Sequence, residues 1–441
     1  MSLRSGAIML LAFGAWLVEG AMLGLVNLSH MRRFYPDATP HCVDAPAPVN
    51  QTVPCEFIRI IAPCWFSRGP TFVTASWMWA TDYMMDLLNR EQKLLPGYWV
   101  TMDWFDDKFS LNDNMHVLEK EFHEHPNNYA AVMFGSSAAT EYMGVQTWNL
   151  GLPWISATKA PVQLDKTMVP FHYRTRGDMI ATSLMFKEVF ASFGWDLSRF
   201  TYVYQADSTN DRQEAMAWKD GLLDGAEFAE EQALQSGTIN FDLAAVLEKI
   251  KRARTQVVIF FGNPSGPTGA TNFLCWLGAQ GVRSLFYILP YEEPLLSQFS
   301  TCPGVDQMLR YNVLSAQTWI PPLSDARDMS CTTAYSPQEI KTWWQSDVVP
   351  TRGSSFPFLT DPETPIDAMC LVYLLFKGMF EEGVTLQQIL SGSTLDRMDM
   401  YLQNMTFRGM GGLYKFTAVG DPMEQYNILQ VTDAGYDRPV M

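Results

Sequence analysis

The sequence predicts an α/β protein built from two lobes, each with a mostly parallel sheet flanked by helices. First, short apolar segments alternate with amphipathic helical segments from Cys55 onwards, which is typical of βαβ units. Second, this alternation starts again near residues 174–178, which indicates a second series of such units. Third, the chain has 441 residues, 47% of them hydrophobic, which is enough for two or three compact units.

The first series of elements runs from Cys55 to about Arg174. Residues 57–62 read as an apolar strand, and the next segment has apolar side chains at steps of three and four, which lie on one face of a helix. That face, which we expect to pack against the sheet, consists of Val73, Trp77, Ala80, Met84 and Leu87. Further buried strands are predicted at 98–103, 130–134 and 154–156.

The second series begins with a helix that we expect to end at Gly194, because glycine readily adopts the left-handed conformation found after helices. Its apolar face contains Met179, Phe186, Phe190 and Phe193. Buried strands follow at 200–204, 256–261 and 285–289.

Two later segments need a separate interpretation. Residues 321–358 are rich in Pro, Ser, Thr and Asp with weak periodicity, and they predict a long insertion of loops. The apolar run 369–376 lies between Asp367 and Lys377 and is far shorter than the roughly 20 residues of a membrane span, so it predicts a core helix. The C-terminal pattern is a strand, a glycine turn, a strand, a Gly-Asp turn and a strand, over 402–409, 411–416, 420–421 and 426–430.

The charge of the chain argues against one class of partner, and its N-terminus predicts export. A net charge of -16 and a pI near 4.8 argue against a nucleic-acid surface, which needs clustered Lys and Arg. Arg4, the apolar run 7–18 and Glu19-Gly20-Ala21 have the order of a secretory signal peptide cleaved after about Gly20. The run is too short for a spanning helix, and an uncleaved signal anchor is the alternative.

Glycosylation triplets and cysteines agree with an extracellular location. Acceptor triplets begin at Asn27, Asn50 and Asn404. The seven cysteines contain no CxxC pair, so disulfides are a more natural use for them than a zinc site. An odd number leaves one thiol free or bonded to a partner chain.

A set of motifs occurs in a defined order, and the C-terminal pattern closes it. The motifs are Gly135-Ser136-Ser137, Trp148-Asn149-Leu150, Leu152-Pro153-Trp154-Ile155-Ser156, Tyr173-Arg174-Thr175 and Phe193-Gly194-Trp195. Over residues 55–435 the set resembles the atrial-natriuretic-factor-receptor ligand-binding family, most closely the ectodomains of metabotropic GABA type B receptors. The resemblance implies a periplasmic-binding-protein type I fold that binds its ligand in the cleft between the lobes, outside the carboxyl ends of the strands, and closes on it.

The resemblance and the patterns together predict the organisation of the chain. We expect a signal peptide, an N-terminal extension, a first lobe in two segments, a second lobe in two segments and a tail. The predicted bounds are 1–20 for the signal peptide, 21–54 for the extension, 55–175 and 315–405 for lobe 1 with the loop 321–358, 176–314 and 406–435 for lobe 2, and 436–441 for the tail.

Candidate ligand-binding residues of lobe 1 follow strand ends. Ser136 and Ser137 lie between a strand and a helical pattern, where hydroxyls and backbone N–H groups can hold a carboxylate. The alternative is that one of them is only a helix N-cap, worth about 1 kcal/mol. The resemblance extends the same pocket to Ser156 and Thr158. Trp65 follows the first strand and either stacks on a ligand or, as is commoner for a large aromatic residue, belongs to the core.

Candidate residues of lobe 2 are Asp207, which can pair with a ligand ammonium group, and Tyr291, which lies where an aromatic lid is expected. Amino-acid receptors of the family often carry a tyrosine just after the position of Asp207, and this chain has Ser208-Thr209-Asn210 there. The resemblance to the GABA type B branch also implies a disulfide between Cys275 and Cys302.

Motifs that would indicate other functions are incomplete or absent from the sequence. Gly262, Gly266 and Gly269 lack the Lys-Ser/Thr of a phosphate-binding loop and the spacing of a dinucleotide fingerprint. A histidine-rich helix end next to Pro126 is read as a solvated end rather than a metal site, and it contains His116, His123 and His125. The sequence shows neither GxSxG nor HExxH.

The predicted function is that of the extracellular ligand-binding domain of a class C G-protein-coupled-receptor-like protein, which binds a small amino-acid-like or carboxylate ligand. The alternatives are a receptor guanylate cyclase ectodomain, which binds a peptide, a soluble secreted carrier, and a secreted hydrolase with a hidden carboxylate pair. We expect no enzyme activity, cofactor, metal or nucleic acid. We expect a homo- or heterodimer formed through lobe 1, and membrane attachment only if the chain continues beyond Met441.

Overall fold

The structure of the chain is a computed structural model. It describes residues 41–43, 52–65, 71–108, 110–135, 140–157, 166–167, 169–176, 179–196, 199–205, 209–222, 230–234, 243–261, 270–280, 282, 285–289, 313–318, 328–348, 362–418, 420, 422, 426–432 and 435–439.

The chain divides into two compact units. Unit 1 takes the described residues up to 157, those within 164–176 and those within 321–422. Unit 2 takes those within 177–320 and those from 423 onwards. Each unit is an α/β structure with its own sheet, so the predicted fold class is confirmed.

Unit 1 is built around a five-stranded parallel sheet. Its strands are β3 (Glu56–Cys64), β4 (Tyr98–Asp106), β5 (Ala131–Met133), β6 (Trp154–Ser156) and β7 (His172–Arg174). The helices between them are α1 (Thr71–Glu91), α2 (Leu111–Glu124) and α3 (Thr140–Asn149). A short antiparallel pair precedes the sheet, formed by β1 (His41–Val43) and β2 (Thr52–Pro54).

Where the chain returns to unit 1, the residues described there form four α-helices and a hairpin. The helices are α8 (Pro337–Trp343), followed by one π-helical turn (Trp344–Val348), α9 (Glu363–Glu381), α10 (Leu386–Leu390) and α11 (Leu395–Asn404). The hairpin consists of β13 (Thr406–Gly409) and β14 (Gly412–Lys415).

Side chains of the unit 1 strands alternate between two apolar layers, as the twofold period of a strand requires. On β3, Ile60 and Ala62 belong to one cluster, with α1 and α9, whereas Ile61 belongs to another, with residues of α2 and α3. The sheet is therefore covered on both faces, which explains why its strands read as continuous apolar runs rather than alternating ones.

The turn between α1 and β4 is fixed by buried amide side chains. Asn89 Nδ2 donates to the carbonyl of Val100 at 2.8 Å, and the Val100 N–H donates to Asn89 Oδ1 at 2.9 Å. Gln92 has a φ of 48° and donates from Nε2 to the carbonyl of Tyr98 at 2.9 Å. Tyr373 on α9 donates to Asn89 Oδ1 at 2.7 Å, so the turn is also tied to the neighbouring helix.

Unit 2 contains a seven-stranded sheet in the order β16-β15-β12-β11-β10-β8-β9. Its strands are β8 (Phe200–Gln205), β9 (Glu230–Leu234), β10 (Val257–Phe261), β11 (Phe286–Leu289), β12 (Val313–Thr318), β15 (Tyr426–Thr432) and β16 (Gly435–Pro439). The last two pair antiparallel and the others parallel. The helices are α4 (Met179–Phe193), α5 (Thr209–Leu222), α6 (Leu243–Arg252) and α7 (Ala270–Ala279). Gly194 follows α4 with a φ of +63°, as predicted.

Two boundaries differ from the sequence-based expectation. The hairpin of β13 and β14, expected in lobe 2 as part of 406–435, lies in unit 1 because Phe407 and Tyr414 enter the core formed with α9. Strand β12 extends to Thr318 in the unit 2 sheet, although residues from 315 were expected in lobe 1. It stays there because β15 pairs along most of its length.

The expected loop 321–358 contains regular structure in its described part, residues 328–348. Ser336 caps α8 with a capping box, in which its hydroxyl accepts from the Glu339 N–H and the Glu339 side chain accepts from the Ser336 N–H. A disulfide between Cys331 and Cys370 joins this segment to α9. The weak periodicity of the sequence reflects a short helix fastened by side chains rather than an absence of structure.

Candidate functional site

The strand order of unit 1 marks one end of its sheet as a candidate site. The first strand of the sheet, β3, lies between β4 and β5 in the order β4-β3-β5-β6-β7. The chain therefore moves to one side of β3 first and to the other side afterwards, so the direction of winding changes between β3 and β5. Ligands of open α/β sheets bind outside the carboxyl ends of the strands at such a point.

The backbone at the carboxyl end of β5 has an unusual conformation. Phe134 has a φ of 62° and Gly135 a φ of 99°. A positive φ is a genuine outlier for a bulky residue, and such residues persist only where the surrounding structure imposes them. The rings of Trp77 and Trp104 stack on the Phe134 ring with centroids 5.5 Å away, and Trp154 Nε1 donates to the Phe134 carbonyl at 2.6 Å. Contacts from three elements thus set the direction in which the chain leaves β5.

Cys64, the last residue of β3, adjoins this turn. It is a free, fully buried thiol. Burial raises its pKa, and the nearby carboxylate of Asp107 acts in the same direction, whereas hydrogen bonds from the backbone N–H groups of Gly135 and Trp65 oppose the shift. The raised pKa keeps the thiol protonated, so the structure favours a packing role for Cys64 over a nucleophilic one.

Two buried polar residues beside Cys64 did not stand out in the sequence. The Asp107 N–H donates to the Cys64 carbonyl at 2.8 Å, and Asn114 Nδ2 donates to Asp107 Oδ2 at 3.2 Å. Both side chains are completely buried, and Asn114 Oδ1 has no hydrogen-bond partner in the part of the chain that the structure describes. A carboxylate followed seven residues later by an amide is too common a pattern to predict this contact.

Trp65 lies in the core rather than on an open surface. It is 5% exposed, and its ring meets that of Trp77 edge-on with centroids 5.5 Å apart. The commoner of the two sequence interpretations therefore fits the described contacts.

Ser156 already has a partner within the sheet. Its Oγ lies 2.8 Å from Nε2 of His172 on β7, and both side chains are buried. The His172 ring also packs on Trp154, with centroids 4.3 Å apart. We therefore expect a structural role for Ser156 instead of ligand contact.

Replacing Ser156 with alanine tests this role. We expect a loss of about 1–3 kcal/mol in the free energy of unfolding, because the buried imidazole loses a hydrogen bond, and no loss of ligand affinity. Urea unfolding measures the first quantity and calorimetric titration the second. Ser192→Ala on the exposed side of α4, where the hydroxyl bonds the Glu188 carbonyl, is the control and should change stability by no more than about 0.5 kcal/mol.

The structure describes only some of the remaining predicted residues. Cys275 on α7 is disulfide-bonded, as is Cys55. Asn404 is an exposed residue at the end of α11, and its Nδ2 donates to the Met400 carbonyl at 2.7 Å. The other predicted residues lie outside the described part of the chain, namely Ser136, Ser137, Thr158, Asp207, Tyr291, Cys302, Asn27 and Asn50. The Cys275–Cys302 pairing and the glycosylation sites stay predictions.

Two other kinds of site are absent from the described residues. Among them, no group of three or more His, Cys, Asp or Glu side chains is arranged to hold a metal ion. None of the helices in these ranges has the length and apolar character needed to span a membrane.

Comparison with protein families identifies the chain at the level of its family. The receptor family ligand binding region, known as ANF_receptor, matches residues 76–434. The chain belongs to this family. The match runs from within α1 to the end of β15 and so includes strands of both sheets, which makes the chain a ligand-binding domain of this kind.

Solved structures similar to this ligand-binding region are bacterial solute-binding proteins. A branched-chain amino acid transporter protein from Thermus thermophilus with bound valine has a TM-score of 0.64 and 15% identity, covering 88% of this chain and 96% of its own. A substrate-binding protein from Desulfitobacterium hafniense in complex with Leu has a TM-score of 0.59 and 15% identity, covering 87% of this chain and 99% of its own. A solute-binding protein from R. palustris in complex with benzoate has a TM-score of 0.62 and 12% identity, covering 87% of this chain and 96% of its own.

At these identities the structural likeness establishes the fold. A search of curated protein sequences finds no match. The predicted closeness to GABA type B receptors is not shown by these comparisons.

Proposed function

We propose that the chain is an extracellular ligand-binding domain that holds a small carboxylate ligand at the carboxyl edge of the unit 1 sheet. The single observation that carries this proposal is the left-handed turn at Phe134 and Gly135, where the winding of the sheet changes direction. Ligands of such sheets bind at this kind of point, and strained backbone clusters at ligand sites.

The chemistry next to the turn suits an anion. Ser136 and Ser137 follow Gly135 directly in the chain, and α3 begins at Thr140. Backbone N–H groups at the start of a helix carry a partial positive charge, and serine hydroxyls donate hydrogen bonds to a carboxylate. The similar structures were solved with valine, Leu and benzoate, and a carboxylate is the group that these three ligands share.

The proposed mechanism is closure, in which unit 1 holds the ligand and unit 2 shuts over it. The ligand then shifts the populations of open and closed forms by its difference in affinity for them. Thr158, Asp207 and Tyr291 remain proposed contacts. An amino acid is the first ligand class to test, since two of the similar proteins are described with valine and Leu.

For the cellular role we propose two alternatives. The chain is either a class C receptor ectodomain that dimerises through lobe 1 or a secreted carrier, and each agrees with the family and with the similar bacterial proteins that bind solutes. For a hydrolase, Ser156 beside His172 is a serine–histidine pair of the kind that could serve as nucleophile and base. Both side chains are buried in the sheet, which leaves a substrate without access to them.

A thermal-shift screen tests the ligand proposal. The purified secreted chain is heated with single amino acids, GABA, benzoate and related carboxylates. A ligand at 100 times its dissociation constant should stabilise the chain by about 2.7 kcal/mol. We expect the shift to disappear in Ser137→Ala, because that hydroxyl is proposed to bind the carboxylate.

Ser391→Ala is the matched control, since Ser391 is an exposed unit 1 serine whose hydroxyl bonds the Gln388 carbonyl. It should keep the full shift. The absence of a shift with any carboxylate would contradict the proposal and favour a peptide ligand, and an equal shift in Ser137→Ala would move the site away from this loop.

A further inference from the structure

Asp367 is a carboxylic acid buried completely near the start of α9. Three donors from the hairpin of β13 and β14 reach it. The Met410 N–H donates to Oδ1 at 2.6 Å, the Gly411 N–H to Oδ2 at 2.8 Å, and the Tyr414 hydroxyl to Oδ2 at 2.8 Å. The approach depends on glycine, because a Cβ atom on Gly409 would collide with the Asp367 carboxyl group.

The same network reaches the end of β7. The Tyr414 hydroxyl lies 3.3 Å from the Thr175 carbonyl, and the Thr175 hydroxyl donates to the Thr364 carbonyl on α9 at 2.9 Å. The chain passes from unit 1 to unit 2 after residue 176 and again after residue 422. Directly and through Tyr414, Asp367 therefore connects α9 to two segments at which the chain leaves unit 1.

The single proton of the Tyr414 hydroxyl can serve only one of two acceptors in this network. A tyrosine hydroxyl has one proton, so Tyr414 can donate to Asp367 or to the Thr175 carbonyl but not fully to both. When Asp367 is ionised it is acceptor-only, and Tyr414 donates to it. When Asp367 is neutral its own O–H donates to Tyr414, and the tyrosine proton is then available to the Thr175 carbonyl.

We propose that Asp367 and Tyr414 form a proton-dependent fastening between two segments at which the chain leaves unit 1, the end of β7 and the hairpin of β13 and β14. In the neutral state of Asp367 the hairpin is bonded to the end of β7 through Tyr414, and loss of the proton withdraws that bond. This inference rests on contacts within unit 1 and does not depend on the proposed ligand.

Burial, together with the charge of a neighbouring carboxylate, favours the neutral state of Asp367. Burial raises the pKa of Asp367 to about 7, although the hydrogen bonds from Gly411, Met410 and Tyr414 lower it. Glu363 on the same helix raises this pKa further, and it is paired with Lys341 of α8 at 2.7 Å. The titratable group that the hairpin presents to Asp367 is Tyr414. Beyond Tyr414 the network ends at the backbone carbonyl of Thr175, which follows the buried Arg174 at the end of β7.

The sign of the pH dependence follows from the direction of this shift. The native state binds the proton more tightly than the unfolded chain, whose aspartate keeps the ordinary pKa of 3.8. The contribution to stability is therefore complete below pH 3.8 and is lost as the pH rises to about 7. Asp82 on α1 has the same sign, because burial raises its pKa to about 7 as well.

Urea unfolding at a series of pH values between about 4 and 8 tests the linkage. The unfolding equilibrium constant of the natural chain should rise about tenfold more per pH unit than that of Asp367→Asn, which has one proton fewer to release. Asp82→Asn is the control, since it removes the same kind of linkage without touching the hairpin. Equal slopes for the natural chain and Asp367→Asn would overturn the proposal.

Nuclear magnetic resonance on the natural chain separates the fastening from a general stability effect. With carbon-13-labelled aspartate, the Asp367 carboxyl carbon of the natural chain should titrate near pH 7. The amide protons of Met410 and Gly411 should shift with the same midpoint, and they should still do so in Asp82→Asn. An Asp367 signal that stays ionised down to about pH 4, or amide protons that do not respond, would contradict the proposal.

Discussion

Replacing Trp154 with alanine is expected to destabilise unit 1 by about 3–5 kcal/mol, the range for removing a large buried aromatic side chain. The side chain is fully buried between β6 and the helices of its face. The change also leaves the buried carbonyl of Phe134 without its indole donor, which is 2.6 Å away in the natural chain. Urea unfolding followed by circular dichroism gives the loss as a lower midpoint.

Trp148→Ala is the matched control, because Trp148 on α3 is 54% exposed. We expect it to change the free energy of unfolding by no more than about 0.5 kcal/mol. Trp154→Phe should lie between the two variants, since it keeps a ring in the core and loses the hydrogen bond. A Trp154→Ala chain as stable as Trp148→Ala would show that the contacts around the β5 turn do not hold it.

Removing the disulfide between Cys331 and Cys370 is the second large expected effect. The two residues are 39 positions apart, and a cross-link that closes a loop of this length stabilises a fold by about 4 kcal/mol through the entropy of the unfolded chain. We expect the double variant to alanine to lose most of this energy. Melting curves with and without the disulfide measure it.

Other contacts keep part of the segment in place after the disulfide is removed. The rings of Tyr83 and Trp343 stack with centroids 3.6 Å apart, and the Thr332 hydroxyl donates to Glu91 at 2.5 Å. Cys64→Ala is the control, since it removes a buried thiol that is in no disulfide. A loss for the double variant no larger than that of Cys64→Ala would contradict the predicted role of the cross-link.

The sequence predicted the regular elements well where a single periodicity dominates. Strand β3 and helix α1 have uninterrupted apolar patterns, and both occur where they are expected. The unit to which the hairpin of β13 and β14 belongs was not predictable in this way. It depends on core packing against α9 and on contacts such as the hydrogen bond between Tyr414 and Asp367, which are 47 residues apart, and periodicity contains no information on such contacts.

The candidate site was predictable in its position along the chain and not in its conformation. The sequence indicates a strand that ends at Gly135, and β5 does end just before it. Local propensity argues against a positive φ for Phe134, and the stacked rings of Trp77 and Trp104 come from other elements. We expect a structural role for Ser156 for a similar reason, since its partner His172 lies on the neighbouring strand and is not apparent from local sequence.

Hydrogen–deuterium exchange with and without ligand locates the proposed carboxylate site on the chain. The probe is valine, leucine or benzoate, whichever gives the largest thermal shift. We expect ligand to slow exchange of the amides in residues 134–140, between the end of β5 and the start of α3, because bound amides are protected from opening. Protection confined to unit 2, or none in 134–140 at saturating ligand, would contradict the proposed site.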